Sequence, residues 1–426
     1  MDVAYSIMSR NPLNPEIFNL RLLATNLLAG LTVAFVALPL ALAFGIGSGL
    51  GAQAGLVTAV IAGMIASALG GSRFQVSGPT GAMTVILIPV VALYGASAVL
   101  QVGLMASALL ILAGLLKVGR HIHRLPTALI EGFTAGIAIV IAMQQVAFVL
   151  GVKLQSSDHI WQSVIDEVRI WADEPQLAPI IIGILAIAAN LIGAARWPKL
   201  PVALASIVAL TVTTNLLGLD VERIGNLPQD FITPSLDFLS AGNWLGLVPA
   251  ALAIAFLAGL ESLLSAKIAD KLAGSSDHDS NRELIGQGVA NLVVPFFGGV
   301  PATAALARTA VNIRAGATSR LAGFSHGVFL LIFVLLLAPQ IGQIPLAALG
   351  GVLIATAYHM VRVRELVYTA SRSRLDMLVL VITMIATVAL DLISALAIGL
   401  LLYLVLRRTR LGYQTPVIDS EETLGD

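Results

Sequence analysis

The sequence predicts an all-α polytopic membrane protein with fourteen transmembrane segments, arranged as two inverted repeats of seven. Of the 426 residues, 58% are hydrophobic and 11% are charged, whereas soluble domains carry about 25% charged residues. Fourteen apolar segments, each about 20 residues long or shorter, can be separated along the chain. Two of these segments are broken by glycine and proline at corresponding positions in the two halves.

The chain divides into four predicted regions. Residues 1–22 form an N-terminal segment, 23–218 the first repeat, 245–408 the second repeat and 409–426 a tail, and a polar stretch at 151–176 interrupts the first repeat. The predicted spans are residues 23–44, 51–70, 78–95, 98–117, 126–149, 177–195, 199–218, 245–268, 284–297, 303–313, 319–338, 345–360, 375–390 and 391–407.

The distribution of basic residues supports an even number of spans. With fourteen spans both termini lie on one side, and lysine and arginine collect on the cytoplasmic side of membrane proteins. Of the 24 basic residues, the following fall on the side of the termini: Arg10, Arg21, Lys117, Arg120, Arg124, Arg196, Lys199, Lys267, Lys271, Arg282, Arg314, Arg320, Arg362, Arg364, Arg372, Arg374, Arg407, Arg408 and Arg410. Both termini are therefore expected in the cytoplasm. Because seven is odd, the two halves have opposite orientations and their repeat must be inverted.

Composition also excludes several classes of protein. The formal net charge is zero, so the chain has no basic footprint for nucleic acid. It contains no cysteine, which excludes disulfides and thiolate metal sites. No nucleotide-binding loop and no nucleophile-base constellation can be found, so neither an ATP-driven pump nor an enzyme is expected. The predicted partners are the lipid bilayer and a small solute, and no metal or organic cofactor is expected.

The two broken segments are the strongest candidates for a binding site. The first runs from Gly70 to Thr84 and the second from Gly298 to Asn312, and their starts lie 228 positions apart (298 minus 70). Each opens with Gly-Gly, continues through a proline and ends in small residues. Paired broken helices at corresponding positions indicate the binding site of a secondary transporter. The alternative is that these glycines and prolines are ordinary kinks in packed helices.

The helix starts inside these segments can bind an anion through the backbone. First-turn amides have no partner within the helix, and the helix dipole adds about half a positive charge there. Two such starts would face each other if the extended stretches 72–77 and 299–303 run to the middle of the membrane. The small residues that would let a ligand approach the backbone are Gly78, Gly81, Ala82, Ala304 and Ala305.

Two charged residues inside spans are candidates for substrate and ion binding. Arg308 lies about one turn into the second half-helix, where its guanidinium can bind a carboxylate, sulfate or bicarbonate. The alternative is that Arg308 snorkels or forms a structural ion pair. Glu261 lies in the middle of the eighth span, with Ser265 one turn further on the same face, and can carry a proton or help to hold Na⁺. The alternative for Glu261 is an ion pair with Arg308.

The chain resembles the SulP anion transporter family, the sulfate permeases of solute carrier family 26. The resemblance covers nearly the whole chain. It is carried by Ala37-Leu38-Pro39-Leu40-Ala41-Leu42-Ala43-Phe44, Ser77-Gly78-Pro79-Thr80, Glu261, Asn281-Arg282-Glu283-Leu284-Ile285-Gly286-Gln287-Gly288 and Ala307-Arg308-Thr309-Ala310-Val311-Asn312.

The resemblance implies a seven-plus-seven inverted-repeat fold of the UraA-like type. A core domain of segments 1–4 and 8–11 would move against a gate domain of segments 5–7 and 12–14. The anion would lie between the half-helices of segments 3 and 10. The residues assigned to the anion are Phe44, Gly78, Thr80, Gly81, Ala82, Ala305, Leu306, Ala307 and Arg308. Glu261 and Ser265 are assigned to the coupling ion.

The resemblance also implies secondary active anion transport in a bacterial inner membrane. Our first expectation is proton-coupled uptake of a small carboxylate such as a C4-dicarboxylate by alternating access. The alternatives are Na⁺-coupled bicarbonate or sulfate transport and a passive anion channel. A homodimer is a possible assembly.

The chain departs from the family pattern in two respects. Family members usually continue into a cytoplasmic STAS domain, which is expected in the full-length protein if this chain is a truncated form. Ala307 and Leu40 stand where many eukaryotic relatives have serine and glutamine, which makes the predicted pocket less polar.

Overall fold

A computed structural model describes residues 20–407, apart from 121–125, 154–159, 198–199, 228–232, 241, 243, 275–277 and 391. The predicted N-terminal segment, up to residue 19, and the predicted tail lie outside the described residues. The α-helices within the described part are α1 Leu20–Gly47, α2 Ala52–Leu69, α3 Gly81–Tyr94, α4 Ala96–Leu115, α5 Thr127–Gln144, α6 Val146–Leu150, α7 Ile160–Asp173, α8 Leu177–Arg196, α9 Val202–Leu216, α10 Val248–Ala273, α11 Ser280–Val293, α12 Leu306–Arg314, α13 Arg320–Gly342, α14 Leu346–Met360, α15 Val363–Arg372, α16 Arg374–Ala389 and α17 Leu392–Arg407.

Many of these helices are long and apolar enough to cross a membrane. The eight candidate spans among the described residues are Leu20–Gly47, Ala52–Leu69, Ala96–Leu115, Thr127–Leu150, Leu177–Arg196, Leu245–Ala273, Arg320–Gly342 and Leu346–Arg372. Shorter apolar helices are Gly81–Tyr94, Val202–Leu216 and Ser394–Leu406. The three other predicted spans correspond to α11, α12 and α16. Each of the fourteen predicted segments thus contains a helix.

Both broken segments contain a short strand followed by a short helix. Strand β1 is Ser77–Gly78 and strand β2 is Thr303–Ala304, and the two pair antiparallel with Ser77 opposite Ala304. Helices α3 and α12 begin within three residues of these strands. Glycine and proline end the preceding helices. The strand pair then provides hydrogen bonds for part of the backbone that the helices leave unpaired.

Two amphipathic helices occur where no helix is expected from the sequence. Helix α7 lies in the predicted polar stretch at 151–176, and helix α15 lies between the twelfth and thirteenth predicted spans. Their charged residues lower the mean hydropathy below that of a membrane span. Their apolar residues nevertheless recur at helical spacing, which is the signal of an interfacial or surface helix.

Packing within the described residues forms two compact units. The larger contains residues up to Arg124 together with Ile139–His359, and it includes both broken segments. The smaller contains Leu125–Ala138 and the chain from Met360 onward. In the smaller unit, Leu366 of α15 packs against buried residues of α16, among them Leu375 and Val379. The division into core and gate segments stays a prediction.

Candidate functional site

The starts of α3 and α12 lack a side-chain cap. Each follows a paired strand directly, and neither N-cap residue, Thr80 or Ala305, makes a side-chain capping hydrogen bond. Helices α11 and α16 are capped, by the carboxylate of Asp279 and the hydroxyl of Ser373, whereas several other described helices, among them α2, α4 and α8, also lack a side-chain cap. Uncapped first-turn amides at two paired segments are the arrangement that an anion satisfies.

Arg308 supplies a full positive charge beside these helix starts. Its side chain is 1% exposed, and Nη2 donates to the carbonyl of Pro79 at 3.1 Å across the strand pair. Its Nε and Nη1 have no hydrogen-bond partner among the described residues. Two unpartnered donors on a buried guanidinium are costly unless a ligand binds them.

Among the described residues Arg308 and Glu261 form no direct salt bridge, although their two charges interact electrostatically. Glu261 Oε2 instead accepts from the hydroxyl of Thr80 at 3.3 Å. Thr80 is the N-cap of α3, so its hydroxyl serves Glu261 and leaves the helix start uncapped. Glu261 is partly exposed as a residue.

Ser265 lies one turn beyond Glu261 and has a different partner. Its hydroxyl donates to Thr309 Oγ1 at 3.4 Å, and Thr309 Oγ1 in turn accepts from the amide of Val76 at 3.2 Å. Ser265 therefore belongs to the contacts that hold the first broken segment. The prediction that Ser265 and Glu261 bind one ion together is not supported by a shared contact.

Because Gly78 and Gly81 have no side chains, the Arg308 guanidinium can approach the first and the Phe44 ring can approach the second. A Cβ at Gly78 would lie 2.6 Å from Arg308 Nη1, so the guanidinium rests against the backbone of β1. A Cβ at Gly81 would lie 3.0 Å from Phe44 Cε1 and would clash with Ile141. Phe44, Gly78 and Arg308 are thus brought together with the start of α3.

The remaining predicted residues lie at the two helix starts but differ in exposure. Ala82 is buried on α3. Ala305 and Leu306 are partly exposed, and Ala307 is exposed on the first turn of α12. The second helix start is therefore the more accessible of the two.

A buried clamp that the sequence did not assign holds the entry to the first broken segment. Glu283 Oε2 accepts from the amides of Gly71 at 2.8 Å and Ser72 at 3.1 Å. Its Oε1 accepts from Gln287 Nε2 at 2.9 Å, and the same nitrogen donates to the Ser77 hydroxyl at 2.7 Å. Glu283 and Gln287 are 1% and 0% exposed, so these bonds lie away from water.

A second buried polar group holds β2. The side chain of Asn291 bonds both the amide and the carbonyl of Ala302, at 2.7 Å and 2.9 Å. The Ser262 hydroxyl lies 2.8 Å from Thr303 Oγ1 and accepts from the amide of Ala304 at 3.2 Å. Amide and hydroxyl side chains inside apolar helices were the available signal, because buried polar groups in membranes usually have a structural or transport role.

This combination defines a class of protein before any relative is considered. An apolar helical chain with two paired half-helices and a buried arginine beside uncapped helix starts is built as a membrane transporter. The chain belongs to the sulfate permease family, whose family model matches residues 23–383. The family and the relatives below are transporters and not enzymes.

Two curated bacterial relatives illustrate this similarity. The putative sulfate transporter YvdB of Bacillus subtilis is 38% identical over 409 residues, covering 95% of this chain and 77% of the relative. The bicarbonate transporter BicA of Synechocystis is 32% identical over 407 residues, covering 92% of this chain and 71% of the relative. The chain is therefore similar to both sulfate and bicarbonate transporters.

Solved structures confirm the predicted fold. The transmembrane domain of a cyanobacterial bicarbonate transporter BicA superposes with a TM-score of 0.81 at 31% identity, covering 88% of this chain and 97% of that domain. Murine Slc26a9, an anion transporter captured in the inward-facing state, gives a TM-score of 0.80 at 20% identity over 90% of this chain and 68% of that one. The chain thus has the seven-plus-seven inverted-repeat fold of these membrane domains.

Proposed function

We propose that this chain is a secondary active anion transporter that binds a small oxyanion between the starts of α3 and α12. The observation that carries the proposal is the state of Arg308: it is buried, it bonds the backbone of the opposite segment, and two of its donors have no partner among the described residues. An oxyanion at this place satisfies those donors and the first-turn amides together.

The proposed substrate is a small carboxylate such as a C4-dicarboxylate, taken up with protons. A carboxylate offers oxygen atoms to a guanidinium and to backbone amides at once. Bicarbonate and sulfate present similar oxygen atoms, and the names of the relatives favour these two anions. They are therefore the second candidates, with Na⁺ as the alternative coupling ion.

The contacts of Glu261 favour a proton over Na⁺ as the coupling ion. Glu261 is partly exposed and has one hydroxyl neighbour, Thr80, whereas the Ser265 hydroxyl bonds Thr309. A cation site made by protein needs several converging oxygen ligands. A carboxyl needs only access to water and a change of environment to take up and release a proton.

Transport is proposed to follow alternating access, with segments 1–4 and 8–11 as core and segments 5–7 and 12–14 as gate. The chain is proposed to lie in a bacterial inner membrane with cytoplasmic termini, since most basic loop residues fall on that side. A homodimer and a STAS domain in a longer form of the protein are further proposals that follow from the resemblance alone.

Uptake by purified protein in proteoliposomes tests the proposal. The assay compares fumarate, bicarbonate and sulfate under an imposed pH step, an imposed Na⁺ gradient, and neither. We expect one of the three anions to accumulate against its gradient under the pH step. Accumulation that depends on Na⁺ would select the alternative coupling ion. Anion flux that only runs down its own gradient would contradict secondary active transport and indicate a channel.

A further inference from the structure

Helix α15 packs against the smaller unit with one face and leaves its other faces exposed. Its inner face, with Leu366 and the buried Thr369, packs against α16. Val363 and Val367, one turn apart, are 60% and 62% exposed. A neighbouring stripe of Arg364, Tyr368 and Arg372 is exposed as well. The helix therefore has an apolar edge between its protein-facing side and a basic side.

The connections of α15 restrict where this apolar edge can lie. Two residues separate α15 from the end of α14 at Met360, and Ser373 alone separates it from α16. Helix α16 is a predicted span, so its start at Arg374 marks a membrane boundary. A helix of ten residues is roughly 15 Å long, and such short links hold it at that boundary.

The charges around α15 match an anionic surface. Arg362, Arg364, Arg372 and Arg374 are all exposed, against the acidic residues Glu365 and Asp376 and against Glu131 of α5, which interacts electrostatically with Arg362. None of these four arginines forms an ion pair with a residue that the structure describes. Basic residues flanking the apolar face of an interfacial helix bind anionic lipid headgroups.

We propose that α15 is an interfacial helix that binds anionic phospholipid headgroups of the leaflet on the arginine-rich side. Val363 and Val367 enter the boundary between headgroups and acyl chains, and Arg364 and Arg372 bind lipid phosphates. This surface anchors the smaller unit to that leaflet. The proposal stands whether the transported anion is a carboxylate, bicarbonate or sulfate.

Spin labels can test this placement directly, because the chain contains no cysteine. Val367→Cys places a label on the apolar edge, and Glu365→Cys places a matched label on the exposed opposite side of the helix. Both are compared in vesicles of phosphatidylcholine with and without phosphatidylglycerol. We expect the label at 367 to be more accessible to oxygen than to an aqueous nickel reagent, and the label at 365 to show the reverse.

The arginine contribution is tested in the same assay. The quantity measured is the phosphatidylglycerol fraction at which the accessibility of the label at 367 has changed by half. In the Val367→Cys background, the double substitution Arg364→Gln with Arg372→Gln should raise this fraction by at least about fivefold. Lys267→Gln with Lys271→Gln, two exposed basic residues on α10, should leave this fraction unchanged.

Three results would overturn the proposal. Nickel access at 367 equal to that at 365 would place the apolar edge in water. A label at 367 shielded from both reagents would mean that protein, a soluble domain or a second copy, covers it. If the accessibility at 367 does not change with phosphatidylglycerol, α15 does not bind anionic headgroups.

Discussion

The two broken segments share a backbone plan but differ in the side chains that they contribute. Both pass through a short strand into an uncapped helix. The first segment contributes Ser77 and Gly78 to the strand pair, and its one charged residue, Arg73, is exposed and lies outside that pair. The second contributes Arg308, Thr309 and Asn312, and each of these bonds the backbone of the first segment.

This difference shows how an inverted repeat can form an asymmetric site. Backbone amides come from both halves, whereas the positive charge comes from the second half alone. The clamp on Gly71 and Ser72 also comes from the second half, through Glu283. We therefore propose that the duplicated backbone supplies the frame of the anion site and that side chains of the second half supply most of its affinity.

The largest effect is expected from removing the charge that distinguishes the second segment. Arg308→Ala should weaken anion binding by about 2–5 kcal/mol, because a desolvated charge-assisted contact is lost. Arg314→Ala, at the exposed end of the same helix, should have little effect. Binding is measured by calorimetry on monodisperse protein. Equal affinity in Arg308→Ala and the unaltered chain would show that both segments contribute through their backbones only.

A smaller effect, on stability, is expected from breaking the clamp on the first segment. Glu283→Ala leaves the buried amide of Ser72 without a partner, at a cost of about 1–3 kcal/mol, and the partly buried amide of Gly71 adds to this loss. Asp279→Ala also removes two amide contacts, but at an exposed helix start, where a lost cap costs about 0.5–2 kcal/mol. In detergent, the melting temperature of Glu283→Ala should therefore be lower than that of Asp279→Ala. A lower melting temperature for Asp279→Ala would mean that the first segment keeps its conformation without the Glu283 contacts from the second half.

Filling the space on the first segment should impair binding without unfolding the protein. In Gly78→Ala the added methyl group displaces the flexible end of Arg308, so folding should be retained while anion affinity falls about tenfold, or 1.4 kcal/mol. Gly47→Ala is the matched control, because a Cβ there meets no atom within 4 Å. If both variants bind alike, the close approach of Gly78 and Arg308 has no role in binding.

The smallest effect on binding is expected at Glu261, which bonds the first segment through Thr80. Glu261→Gln keeps the shape of the side chain but cannot ionise, so anion exchange should persist while pH-driven accumulation is lost. Parallel exchange and accumulation assays in the same proteoliposome preparation separate the two activities. Accumulation at the level of the unaltered chain would place the proton path elsewhere.

The sequence predicts the fold well because its signals are local. Spans, breaks and the bias of basic loops are all readable from composition along a few tens of residues. Helices α7 and α15 were missed because their charged residues resemble those of a loop, although the spacing of Trp161, Ile165 and Val168 on α7 is helical. Amphipathic helices need a test of periodicity as well as hydropathy.

The sequence predicts the residues of the candidate site, which stay a prediction, but it does not predict the contacts that support them. Arg308 and Glu261 stand out because charges are rare inside spans. The sequence does not show that Arg308 bonds Pro79 and that Glu261 bonds Thr80. A direct ion pair between Arg308 and Glu261 would equally give each charge a partner inside the membrane. The contact of Glu283 with Gly71 joins positions 212 residues apart, and no local pattern reports such a pairing.

The position of the transported anion tests the central proposal most directly. A structure determined with the anion that accumulates in proteoliposomes should show it within hydrogen-bonding distance of Arg308 Nε or Nη1 and of the first-turn amides of α3 and α12. Density for the anion elsewhere, with both Arg308 donors still unoccupied, would contradict the proposed site.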